Sequence, residues 1–150
     1  MQEELFVFKG ITPNKSYIST IFNFDVSRLE YLTGLDISKY VIALSQYLIY
    51  FKFQYNSTKM HLNDRQRLLD ASIMQLLTPS YLKQYKTKAE AKFHLVHNTE
   101  TLMQIQLELD TLQDELFLLQ GMDKTISELI ASFKRELTRR ENELYQEKHS

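Results

Sequence analysis

The sequence has no cysteine, two prolines and three glycines in 150 residues. Without cysteine there is no disulfide framework and no thiolate zinc site, a composition that suits a reducing compartment. Gly10, Gly34 and Gly121 lie too far apart for a glycine-rich loop that cradles phosphate. No serine sits in a Gly-x-Ser-x-Gly elbow, so nucleophilic hydrolysis has no local motif. No stretch reaches the roughly 18 uncharged apolar residues that a membrane span needs. The start, Met1-Gln2-Glu3-Glu4, is acidic and unlike a signal or transit peptide, so the expected location is cytoplasmic, in the host cytoplasm if the chain is viral. Single-sign charge is also missing: 18 Lys and Arg against 19 Asp and Glu leave a net charge of −1. A uniform basic coat for nucleic acid is thereby excluded, and only a local patch remains open.

What is present is apolar content of 43%, enough for the core of one domain spanning 1–150. So few breakers point to long helices and an all-α fold. Residues 1–35 read differently from the rest. Leu5-Phe6-Val7-Phe8, a turn at Gly10, Pro13 and Asn14, and the β-branched and aromatic run Tyr17–Phe24 allow a short β-hairpin, though brief apolar runs do not separate strand from helix. Asp36 is a suitable N-cap for a helix carrying Ile37, Tyr40, Val41, Leu44, Leu48 and Phe51 on one face. Asn56-Ser57-Thr58 is expected to break it, and Asn63 or Asp64 to start a second helix that ends at Thr78-Pro79. Residues 36–78 thus read as a helical hairpin.

Residues 80–148 contain no proline. Thr87-Lys88-Ala89-Glu90 matches a capping box. A coiled-coil-like helix then carries Leu102, Ile105, Leu109, Leu112, Leu116, Leu119, Ile126, Ile130, Phe133, Leu137 and Leu144 at alternating steps of three and four. Only Asp123 and Arg140 interrupt this seam. Gln120-Gly121-Met122-Asp123 allows either a helix end with a new cap or an unbroken helix. The heptad phase continues across it, which favours continuity, in a helix roughly 65 Å long at ~1.5 Å per residue. The strict 3.5-residue period favours self-association, with the seam joining copies of the chain. The competing reading is that the seam packs within one monomer.

The catalytic inventory is thin and points away from an enzyme. His94 and His97 are one turn apart with Glu90 on the preceding turn, but no third metal ligand is evident, so no metal or cofactor is expected. Charge placement says more. Lys83, Lys86, Lys88 and Lys92 face only Glu90 between 83 and 97, a balance of +3, with Tyr81, Tyr85 and Phe93 interleaved. From 98 to 120 there are five acids and no Lys or Arg, a balance of −5. Lysines near aromatics suit single-stranded nucleic acid, in which ammonium groups meet phosphates and rings stack on bases. The four lysines with Tyr81 and Tyr85 are the candidate contacts.

Lys88-Ala89-Glu90-Ala91-Lys92, then Leu95, Asn98 and Glu100, lead into the long leucine-rich helix through Phe117, Leu118, Ile126 and Ile130 to Lys134-Arg135. Over residues 36–140 this layout resembles the UvsY recombination mediators of large tailed phages. The resemblance implies a homo-oligomeric ring or barrel that binds single-stranded DNA without catalysis. It implies as partners a recombinase and the single-strand-binding protein already on the DNA. A second class fits the same pattern: a coiled-coil structural, scaffold or adaptor component of a viral assembly that does not bind nucleic acid.

Overall fold

The computed structural model describes residues 14–150, of which 89% are helical, with no strand among them. The fold is all-α. The first helix among the described residues, α1 (Lys15–Phe22), starts where the Asn14 side chain accepts the Tyr17 N–H at 3.2 Å. The run expected as the second strand of a hairpin, Tyr17–Phe24, is therefore mostly helical, and the proposed first strand, Leu5–Phe8, lies outside the described residues. The cap and the apolar spacing of Ile18 and Ile21 decide the matter, since both side chains bury on one face. A 3-10 turn follows at Val26–Tyr31, capped by Asp25, whose carboxylate accepts from both the Oγ (2.7 Å) and the N–H (3.0 Å) of Ser27. These bonds to the charged form hold the Asp25 carboxyl below its usual range.

The second helix, α2 (Gly34–Leu76), is 43 residues long and unbroken. Thr33 and Asp36 form a reciprocal cap, in which Thr33 Oγ1 accepts the Asp36 N–H at 3.1 Å and donates to Asp36 Oδ2 at 2.8 Å. The cap is thus Thr33, with Asp36 in the first turn. The break expected at Asn56-Ser57-Thr58 does not occur, so 36–78 is one helix and not a hairpin. Asn, Ser and Thr each cost at most ~0.7 kcal/mol against Ala inside a helix, too little to end one whose flanks are packed. Thr78-Pro79 does end it. Pro79 instead opens α3 (Pro79–Leu82), with Thr78 Oγ1 accepting the Tyr81 N–H. Then come α4 (Lys88–Asn98) and α5 (Glu100–His149), 50 residues that pass through Gly121 and Asp123 without interruption. No helix among the described residues is long and apolar enough to cross a membrane.

The chain forms two compact units, and α2 and α5 contribute to both. One unit joins the residues up to Gln54 to Leu119–Ser150. Its core is Ile18 and Ile21 of α1, Ile37 and Leu44 of α2, and Ile126, Ile130 and Phe133 of α5. Here α2 and α5 run antiparallel: Arg140 reaches the Leu32 carbonyl, while Tyr40 meets Phe133 edge-on at 5.7 Å. Tyr40 also meets Tyr17 and Phe24 edge-on, which ties α1 and the residues after it to the pair. The other unit is Tyr55–Leu118. Leu69 and Ile73 of α2, Leu95 and Val96 of α4, and Leu102 and Leu109 of α5 form its core. Arg65 pairs with Glu108 at 3.2 Å, half-exposed, which adds about 1 kcal/mol at most.

These cores account for the heptad seam. Leu102, Leu109, Leu112, Ile126, Ile130 and Phe133 are buried within the chain, and Ile105, Leu116, Leu119 and Leu137 are half-buried. Leu144 alone of the eleven is exposed. The seam expected to join copies is the chain's own packing face. An antiparallel helix pair inside one chain imposes the same 3.5-residue repeat as a coiled coil between chains, so periodicity alone does not identify the partner. The two polar interruptions are likewise satisfied internally. Asp123 accepts from Ser127 Oγ, and Arg140 donates to Glu136 and to the carbonyls of Leu29 and Leu32.

Candidate nucleic-acid interface

The corner from Thr78 to Asn98 carries the basic cluster. Thr87 Oγ1 accepts the Glu90 N–H at 3.1 Å, and the Glu90 carboxylate accepts the Lys86 N–H at 3.3 Å. This cap fixes where α4 begins, and it occupies the one carboxylate in the cluster. Ala91, Leu95 and Val96 bury on the inner face of α4. Lys88 and Lys92, four residues apart, stand together on its flank. They rim a groove of about 440 Å³ whose other walls are Asp70, Ile73, Met74, Leu77 and Leu82. Lys83 follows α3, and Lys86 precedes the α4 cap.

All four lysines are exposed, and among the described residues none has a carboxylate within 4.0 Å. By contrast, Arg139 and Arg140 at the far end of α5 are committed to carboxylates. Glu136 takes bonds from both, and Arg139 also pairs with Glu143. The bond from Arg139, followed by that from Arg140, pulls the Glu136 carboxyl down to about 2. Lys134 and Arg135 are also exposed with no carboxylate within 4.0 Å among the described residues, so 83–92 is distinguished by holding four such cations within ten residues.

The structure treats the two nominated tyrosines differently from the lysines. Tyr81 and Tyr85 are half-buried, with hydroxyls 3.4 Å apart. That bond raises the Tyr81 pKa. Tyr81 packs on the core of its unit, and the Tyr85 ring lies over His94 at 4.9 Å, nearly parallel. These rings brace the corner. The ring presented to solvent is Phe93, 58% exposed beside Lys92 and stacked on His97 at 4.0 Å. Phe93 was readable as an aromatic among lysines, and its step of two from both Ala91 and Leu95 places it off the buried face of α4. His97 Nδ1 bonds the Phe93 carbonyl at 2.8 Å. His94 and His97 thus serve ring packing, and among the described residues no three His, Asp or Glu side chains cluster as metal ligands would.

The first half of α5 presents the opposite chemistry. Opposite its buried Leu102–Leu109–Leu112 stripe, Met103, Leu107, Phe117 and Leu118 are exposed, Phe117 at 77%. Asp110 and Asp114 lie between them on the same outward face. Neither has an Arg or Lys within 4.0 Å among the described residues, and Asp110 accepts only from Gln106 of its own helix. Of the five acids in this stretch, only Glu108 is in an ion pair among the described residues.

No protein-family profile matches the chain, and no curated protein or solved structure is found similar to it.

Proposed function

We propose that this chain is a non-enzymatic, self-associating accessory protein that binds single-stranded DNA and assists the loading of a recombinase. The observation that carries the reading is the set of four exposed lysines, 83, 86, 88 and 92, with no carboxylate within 4.0 Å among the described residues, next to the exposed ring of Phe93. Ammonium groups left unpaired in the folded state need no rearrangement to meet phosphates. A ring beside them gives a base a surface to stack on. Such a protein brings no chemistry of its own. It holds a strand in a form that a recombinase and a single-strand-binding protein can exchange.

Binding of a labelled single-stranded oligonucleotide, measured at a series of salt concentrations, tests this. Four phosphates neutralised on a single strand give a log–log salt slope near −3, at about −0.7 per phosphate. Replacing all four lysines with Gln is expected to abolish binding while the helical circular dichroism stays native. Phe93→Ala is expected to weaken affinity without changing the slope. An oligonucleotide that ignores the native protein at low salt, or binds the quadruple variant equally well, overturns the proposal.

A second reading has its own observation. The acidic and apolar outward face of α5 suits a protein partner, and an assembly scaffold or adaptor would use it without touching DNA. A light-scattering mass that shows association, together with no oligonucleotide shift, selects that reading.

A further inference from the structure

We infer that the outward face of α5, formed by Met103, Leu107, Asp110, Asp114, Phe117 and Leu118, docks on the Lys88–Lys92–Phe93 surface of a second copy of this chain. The inference deepens the self-associating part of the function proposed above and replaces the heptad seam as the contact. Six of the eleven seam residues are already buried within the chain, four are half-buried and only Leu144 is exposed. Among the described residues, the unit Tyr55–Leu118 exposes two surfaces of opposite character. The α5 face exposes four large apolar side chains around two aspartates that have no Lys or Arg within 4.0 Å among the described residues. The α4 surface exposes one aromatic ring and lysines with no carboxylate within 4.0 Å among the described residues, beside a groove walled by Ile73, Met74, Leu77 and Leu82 together with Asp70.

Their charges are complementary. The stretch 83–97 holds four lysines against one glutamate, and 98–120 holds five acids with no Lys or Arg. Two copies of the α5 face placed against each other would set aspartates against aspartates, which disfavours a symmetric contact. An aspartate-bearing apolar face meeting a lysine-bearing aromatic one satisfies both. Within the chain no ion pair joins these two surfaces among the described residues, so each remains available.

Because the two halves differ, the contact is head-to-tail. Each copy offers its α5 face to one neighbour and its lysine surface to another, which builds a ring if the rotation closes and a filament if it does not. The lysines are shared with the proposed DNA contact. Single-stranded DNA and the neighbouring copy therefore compete, and strand binding loosens the assembly.

The test uses the full chain and its mass by sedimentation velocity at low and high salt. The native protein is expected to associate at low salt and dissociate at high salt. Asp110→Lys with Asp114→Lys is expected to be monomeric and to keep its affinity for a single-stranded oligonucleotide. Lys88→Glu with Lys92→Glu is expected to be monomeric and to lose that affinity. Mixed together, the two charge-reversed proteins are expected to recover association, because each reversed surface now faces its opposite. Recovery on mixing also shows that neither variant is merely misfolded. A native chain that stays monomeric at low salt overturns the inference, as do charge reversals that leave the mass unchanged and mixtures that remain monomeric. If mixing restores the assembly but no protein binds the oligonucleotide, the contact stands and the DNA reading falls.

Discussion

Arg140→Met removes a side chain that closes one end of the first unit. Its Nη1 donates to the Leu32 carbonyl at 2.7 Å, its Nη2 to the Leu29 carbonyl at 2.9 Å and its Nε to Glu136 at 3.0 Å. A hydrogen bond from a charged group contributes ~1.5–3 kcal/mol when water is excluded. The Arg140 side chain is 23% exposed, so water replaces part of what is lost, and methionine retains the aliphatic stem. Glu136 keeps Arg139 as a partner. The loss expected is about 2–3 kcal/mol. At ~2–4 °C per kcal/mol for a chain of this size, the melting temperature should fall by about 4–12 °C. Arg140→Lys keeps the charge but cannot span two carbonyls, and should lose about half as much. The assay is thermal and urea unfolding followed by circular dichroism at constant pH. If both variants unfold within about 0.5 kcal/mol of the native protein, these bonds do not tie the 3-10 turn to α5 and the reasoning fails.

Phe133 is fully buried among Ile37, Leu44 and Ile126, so Phe133→Ala should cost about 3–5 kcal/mol in urea unfolding; a loss below about 1 kcal/mol would contradict that packing. Gly121 lies inside α5, where an added Cβ meets nothing within 4 Å, so Gly121→Ala should stabilise by about 0.5–1 kcal/mol in the same measurement. A destabilised Gly121→Ala would mean that the helix is not continuous there. The carboxyl of Glu136 is held at about 2 against an ordinary 4.5. An acid depressed on folding stabilises the folded state when ionised, so its contribution is complete above its unfolded pKa and fades as pH falls from 4.5 toward 2. Urea midpoints across that range should decline less steeply for Glu136→Gln than for the native chain, and equal slopes would assign the acid sensitivity elsewhere.

The helices of this fold were more legible than their partners. The unchanged phase of Leu119 and Ile126 across Gly121 pointed to a continuous α5, because a loop has no reason to preserve a heptad register. The same residues could not say what lies opposite them, since a seam looks alike whether it meets another copy or Ile37 and Leu44 of its own chain. Asn56-Ser57-Thr58 misled because those residues favour ends and turns only weakly, and packing on either side outweighed them. Tyr17–Phe24 was ambiguous because a run that short carries no decisive period. At the site, the lysines were readable from charge alone, but the roles of the rings were not. Tyr81 and Tyr85 were drawn inward by a hydroxyl bond and by His94, while one position on a helix face left Phe93 outside. The outward stripe of α5 was hidden in plain sequence, because its apolar members alternate with aspartates and the leucine seam on the opposite face dominates the pattern.

The unit Tyr55–Leu118 is built from one continuous stretch of chain, whereas the other joins α1 and the start of α2 to residues that follow much later. Ile18, Ile21, Ile37 and Leu44 wait for Ile126, Ile130 and Phe133, and about 80 residues separate Leu44 from the first of them. During synthesis at ~5–20 residues per second, that interval is about 4–16 seconds. For that time the nascent chain carries an uncovered aliphatic surface while the contiguous unit can already close behind it. The period of greatest exposure to aggregation and chaperone capture therefore falls on the inner faces of α1 and the start of α2, and it ends when the Ile126–Phe133 turns of α5 emerge.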